Sequence, residues 1–132
     1  MQRIGNVFVR AVLRSPLHAL LSRSLLVFAY TGRRSGEPHA IPVQYVRDGD
    51  RILVFAAWPE RKRWWRNFDD GEREVRVRER GRWVAGNAAV VRDPERVAGA
   101  RRVYLEQFPK AASVIGDSVL VEVSAAGRAG SG

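Results

Sequence analysis

A chain of 132 residues with 45% hydrophobic and 28% charged side chains has the composition of one domain with its own core and no room for a second. Zero cysteines and only two histidines, His18 and His39, exclude disulfides, zinc–thiolate sites, iron–sulfur clusters and cysteine nucleophiles, and leave too few ligands for a histidine-built metal centre. The net charge is +9, and all but two of the 23 basic residues are arginine, the exceptions being Lys62 and Lys110, a surface suited to phosphorylated ligands, nucleic acid or anionic lipid.

In chain order, residues 4–21 carry apolar side chains at mostly helical spacing, interrupted by Ser15-Pro16, and predict an N-terminal helical segment over residues 1–23. Arg3, Arg10, Arg14 and Arg23 flank that face, so it either docks on the domain or touches the headgroup layer of a membrane. No apolar run nears the ~20 residues that cross a bilayer and no export signal is seen; the expected compartment is the cytoplasm. Three β-rich runs follow, Leu25–Thr31, Ala40–Arg47 and Arg51–Ala57, with Asp48-Gly49 read as the two-residue turn between the last two. A short helix is expected near Glu60–Asp69. Glu74–Glu79 and Arg82–Val91 form a hairpin about Arg80-Gly81, with one basic face. Asp93-Pro94 opens a helix to about Gln107 that Pro109 ends. Ser118–Ser124 is the sixth strand, and residues 125–132 read as a flexible tail. Hairpin-linked strands over residues 24–124 predict a mainly β, six-stranded antiparallel barrel with two short helices beside the N-terminal one.

Two stretches carry the chemistry. In Thr31-Gly32-Arg33-Arg34-Ser35-Gly36 the glycines allow a sharp turn and the arginines and hydroxyls offer donors to an anion, so the turn is either a phosphate nest or an exposed basic loop. Residues 58–68 hold three of the four tryptophans, interleaved with Arg61, Lys62, Arg63 and Arg66. Such a cluster suits stacking on a planar ring or on nucleic-acid bases. Helical spacing puts Trp64 and Phe68 on one face towards the core. Asp69, Asp70, Glu72 and Glu74 read as counter-charges to nearby arginines. Nucleophile elbow, Walker loop and dinucleotide fingerprint are all missing, which leaves the hard chemical step to a cofactor.

The series Thr31-Gly32-Arg33-Arg34-Ser35-Gly36-x-Pro38, Pro42, Arg47-Asp48-Gly49-Asp50, Ala56-Ala57 and Trp64-Trp65-x-Asn67-Phe68 resembles the deazaflavin-dependent nitroreductase and quinone reductase family over roughly residues 24–124. The resemblance implies an FMN-binding-like split β-barrel and the reduced deazaflavin coenzyme F-420 as hydride donor, with FMN or haem as the alternative planar ligand. Carried over by position, Arg33, Arg34 and Ser35 would hold the coenzyme's phosphate, with His39 as a further basic contact. Pro42 and Gln44 would line the ring pocket, Ala56 and Ala57 would offer backbone contacts, Trp64 would close one side, and Trp58, Lys62, Arg63 and Asn67 would complete the clamp. Departures are a short segment between Ala57 and Trp64, Gln44 in place of an aromatic residue, and Ala111, Ala112 and Val114 where nitro-drug-reducing members resemble one another in carrying tyrosines.

The function expected is hydride transfer from reduced coenzyme F-420 to a quinone-like or nitro-type acceptor, by a monomer or homodimer, with Tyr104 or solvent as proton donor. Two alternatives stand beside it: a non-catalytic carrier of a planar anionic cofactor, and a basic nucleic-acid-binding domain using Arg61–Arg66 and Arg73–Arg82.

Overall fold

An unbroken apolar run such as Leu25–Tyr30 suits a strand covered on both faces. The computed structural model describes residues 25–61 and 63–125, and there Leu25–Thr31 forms β1, buried along nearly its whole length. It is followed by β2 (Pro38–Gln44), β3 (Val46–Asp48), β4 (Arg51–Ala56), a 3-10 turn at Trp64–Phe68, β5 (Arg73–Glu79), β6 (Arg82–Val91), helix α1 (Pro94–Gln107), a second 3-10 turn at Pro109–Ser113, and β7 (Val119–Ala125). The strands make one sheet in the order β2-β1-β5-β6-β7-β4-β3, antiparallel at every pairing. The expected N-terminal helical segment and the tail beyond Ala125 lie outside the described residues.

Seven strands stand where six were expected, because the run Ala40–Arg47 divides at Tyr45. Residues up to Gln44 pair with β1, and from Val46 onward the chain pairs with β4. The two edge strands of the sheet are thus consecutive in sequence, joined by one residue, which requires the sheet to curl on itself. Tyr45 is buried and fixes this corner by donating its hydroxyl to Glu79 Oε2 at 2.6 Å; Arg47 grips the same carboxylate through Nε and Nη2. Pro38 and Pro42 lie on β2, where an edge strand tolerates a missing N–H and repels further pairing.

The concave side of the curled sheet holds the main core, including Leu26, Phe28, Tyr30, Val54, Phe68, Val77 and Val121. Helix α1 covers the other side of β4 and β7 through Leu53, Ala100 and Leu120, and meets β3 through Tyr104, Val46 and Ile115. Its start is as expected: the Asp93 side chain accepts from the Arg96 N–H at 3.1 Å with Pro94 in the first turn, satisfying an otherwise orphaned donor. At the β5–β6 hairpin both Arg80 (φ 51°) and Gly81 (φ 80°) adopt the left-handed conformation that a tight two-residue turn demands. The β3–β4 turn sits one residue later than expected, since Asp48 pairs with Arg51 and leaves Gly49-Asp50 as the loop. The helix expected near Glu60–Asp69 is only the five-residue turn Trp64–Phe68, whose N-cap position is taken by Arg63 with no capping side chain.

Candidate functional site

The basic turn after β1 is tightly closed. Gly32 N–H donates to Glu37 O and Gly36 N–H to Gly32 O, both at 2.9 Å, and the Glu37 N–H donates to Ser35 Oγ at 3.1 Å. A side chain at position 32 would meet Ser35 Oγ at 2.7 Å and would displace that hydroxyl from the turn. Asn67 then staples the turn to the tryptophan segment: its Oδ1 accepts from the Arg33 N–H at 2.9 Å and its Nδ2 donates to the Trp64 carbonyl at 2.8 Å. Arg33 pairs through Nη1 with Asp70 at 2.8 Å. Arg34 is exposed and its side chain has no ion-pair partner among the described residues. Asp69 pairs with Arg92, so both aspartates act as the counter-charges expected of them.

Between this turn and the tryptophan segment lies a cavity of about 450 Å³, bordered by Arg33, Arg34, Arg63 and Arg66 together with Ser35, His39 and Asn67. None of the described residues lining it is acidic. Four arginines border one space; Arg33 is engaged by Asp70 and Arg66 lies against the Trp65 ring, and the positive charge of the border favours an anion that can take charge-assisted hydrogen bonds. His39 is held flat against Tyr30, with ring centroids 5.2 Å apart and planes 27° apart.

A second cavity, of about 430 Å³, adjoins the first and has the opposite character. Pro42, Gln44, Ala56, Ala57, Tyr104 and Val114 are among its lining residues, none of which carries a formal charge. Trp64 borders both cavities and rests on the core, its ring 5.2 Å from Phe28 and 6.4 Å from Phe68. Strand β2 runs from His39 at the basic cavity to Gln44 at the apolar one, five steps of about 3.3 Å, or roughly 17 Å. At the inner wall the Tyr104 hydroxyl donates to Gln44 Oε1 at 2.6 Å; burial pushes the Tyr104 phenol up to about 12, so it keeps its proton throughout the neutral range.

Most residues singled out from the sequence fall on these two cavities. Arg33, Arg34, Ser35, His39, Arg63 and Asn67 border the basic one, and Pro42, Gln44, Ala56, Ala57 and Tyr104 the apolar one. Trp58 borders neither: its φ of 51° turns the chain as it leaves β4, and its side chain is 51% exposed. Lys62 lies outside the described residues. Trp65 is buried and structural, its indole N–H donating to the Pro59 carbonyl with Arg66 and Arg92 against its ring. Tyr30, Ile115 and Ser118 also line the site, and no local signal marks them in the sequence, because each reaches it only through the sheet's curl or the loop after α1.

No curated protein matches the chain in sequence. Solved structures do match in fold: an F420-H2 dependent reductase, FDR-A, with a TM-score of 0.65 at 19% identity over 77% of this chain and 95% of that one. A chain described as a domain-swapped dimer aligns at TM-score 0.66 and 18% identity, covering 91% of this chain and 99% of its own. The haem storage protein HutZ from Vibrio cholerae aligns at TM-score 0.61 and 17% identity, over 84% and 89% of the two chains. At such identities the likeness establishes a shared fold. In sequence, a family model for F420H(2)-dependent quinone reductases matches residues 6–121, most of the chain, which therefore belongs to that family and is an oxidoreductase whose cofactor is coenzyme F-420.

Proposed function

We propose that the two adjoining cavities form one coenzyme site on a split-barrel, FMN-binding-like scaffold, and that the protein reduces a quinone-like acceptor. The observation that carries this reading is the change of character across Trp64, from a cavity bordered by four arginines and no acid to an uncharged apolar one. A coenzyme with a phosphate at one end and a flat ring at the other fits such a pair. Arg33, Arg34 and Ser35 would receive the phosphate, Arg63 and His39 would add positive charge and donors, and Trp64 would cover the ring against Ala56, Ala57 and Pro42. When bound in its reduced form, coenzyme F-420 supplies a hydride.

The chain's own contribution is position and exclusion of water. Walls formed by Val54, Trp64, Ala111 and Ile115 would hold the coenzyme ring and the acceptor and limit the water around them, and positioning of that kind is where the rate gain of such a transfer arises. Hydride and one proton together convert a quinone to a hydroquinone. A hydroquinone oxygen is phenolic, with an ordinary pKa of about 10, whereas Tyr104 holds its proton up to about 12 and commits it to Gln44. Solvent is therefore the better proton source.

The space left by Ala111 and Val114, and by Gln44 instead of an aromatic ring, suits acceptors that need little orientation. The test is kcat/KM for menadione against a bulky bicyclic nitroimidazole, each with reduced coenzyme F-420 under one set of conditions. A clear preference for menadione is expected. Preference for the nitroimidazole would overturn the acceptor class, and failure to turn over either one with coenzyme bound would favour a carrier.

A further inference from the structure

Gln44 ends β2 at the far end of the apolar cavity from His39, and Tyr104 reaches it from α1. Their polar atoms lie 2.6 Å apart. Such a separation suits an O–H···O bond, usually about 2.7–2.8 Å long, better than an N–H···O bond of about 2.9–3.0 Å. The amide is thus turned with its oxygen to the phenol and its NH2 group directed elsewhere. Tyr104 cannot readily release it, being buried with Phe55 and Phe108 packed on its ring at 5.1 and 5.3 Å. The hydroxyl of Ser118, also on the lining, is taken up by the Ile115 carbonyl. Apart from the Trp64 indole, shared with the basic cavity, the Gln44 NH2 is the side-chain donor left to a ligand among the described residues that line this space.

We propose that Gln44 is the acceptor-recognising residue of the site: its NH2, oriented by Tyr104, donates to a carbonyl oxygen of a quinone-type acceptor. The assignment rests on reading the apolar cavity as the place where coenzyme ring and acceptor meet. Negative charge grows on a quinone oxygen as hydride arrives, and a donor at that oxygen would bind it more tightly in the transition state than before. The substrate class that follows is the carbonyl-conjugated acceptor, with flat molecules lacking a carbonyl oxygen at a disadvantage. Tyr104 is a positioning residue in this scheme, acting through the amide it holds.

Gln44→Glu keeps an oxygen for the Tyr104 hydroxyl but replaces the NH2 by a negative charge, and Gln44→Leu removes the donor without adding charge, so the two together separate these roles. Three quantities are to be measured in wild type, Gln44→Glu, Gln44→Leu and Tyr104→Phe: kcat/KM for menadione, calorimetric binding of menadione to the protein, and affinity for oxidised coenzyme F-420. Gln44→Glu is expected to lose about tenfold or more in kcat/KM and to bind menadione more weakly, with less than a twofold change in coenzyme affinity. In a Tyr104→Phe background, Gln44→Leu is expected to cost much less than in wild type, a coupling that a merely structural tyrosine would not produce. Equal menadione binding by wild type and Gln44→Glu would overturn the assignment. So would a loss of coenzyme affinity in step with the acceptor, since Gln44 would then belong to the ring pocket. A wild-type protein that binds menadione through Gln44 yet does not reduce it would defeat the proposed reaction and leave this recognition role standing.

Discussion

Asn67 joins the basic turn to the tryptophan segment, and its removal tests whether the two are held as one unit. Its side chain makes two hydrogen bonds, one from the Arg33 N–H at 2.9 Å and one to the Trp64 carbonyl at 2.8 Å. At about 0.5–1.5 kcal/mol each, Asn67→Ala loses about 1–3 kcal/mol. Asn67 is only half-buried, so water reaches part of the freed polar surface and the lower half of that range is expected. For a domain of this size that is a fall in Tm of roughly 3–8 °C. Asn67→Asp keeps an oxygen for the Arg33 N–H but sets another oxygen against the Trp64 carbonyl, so it should separate the two bonds. Calorimetric melting of the coenzyme-free protein and titration with oxidised coenzyme F-420 are the paired assays. Both Tm and affinity should drop in Asn67→Ala. A variant melting at the wild-type temperature would refute the staple, and one with a lowered Tm but full affinity would show that the turn holds its shape without the tryptophan segment.

Arg34→Ala should leave the Tm of the coenzyme-free protein unchanged, since the side chain is exposed and has no ion-pair partner among the described residues, while weakening coenzyme binding by about 1.5–3 kcal/mol, the worth of a hydrogen bond to a charged group; unaltered affinity would remove Arg34 from the site. Trp64→Ala should lower both stability and coenzyme affinity, because one ring packs on Phe28 and Phe68 and borders both cavities; a variant normal in both respects would contradict the clamp. Burial opposes ionisation of Glu79, but hydrogen bonds from Arg47 and Tyr45 outweigh it and hold the carboxyl below its usual value. Its stabilising effect is therefore complete above the ordinary glutamate pKa of about 4.3 and lost as pH falls through the lower folded value. Glu79→Gln should be less stable at neutral pH and show a flatter acid limb in a melting series from pH 7 to pH 3; parallel curves would rule this out.

What the sequence makes legible is local. Arg80-Gly81 supplies a turn in which Gly81 is free to adopt positive φ and Arg80 is carried into the same region by the hairpin, Asp93-Pro94 supplies a cap and a preset first turn, and the alternation of Val75 and Val77 with arginines marks a half-buried strand; each element appears as expected. The division at Tyr45 is not legible, because the one breaker in Ala40–Arg47 is Pro42, which stays inside β2, and no turn residue stands at Gln44-Tyr45-Val46. That break is imposed by closure of the sheet, when β2 and β3 must serve opposite edges. Pro109 follows the end of α1, as its sequence position predicts, but it also starts a further 3-10 turn that carries Ala111 to the apolar cavity. The site follows the same division. Arg33, Arg34 and Trp64 stand out by composition, whereas the Asn67 staple spans 34 residues and the Gln44–Tyr104 pair spans 60, and neither contact leaves a pattern within a window that local reading can inspect.

The central claim is that one coenzyme spans the basic and the apolar cavity across Trp64. Its most direct test is equilibrium titration of the full chain with oxidised coenzyme F-420, followed by fluorescence, for wild type, Arg34→Ala, Trp64→Phe and the double variant, with FMN titrated alongside. Saturable one-to-one binding of coenzyme F-420 to the wild type, tighter than FMN, is expected, with each single change weakening it and the double change weakening it further. Wild-type affinity in the double variant, or tighter binding of FMN than of coenzyme F-420, would contradict the claim.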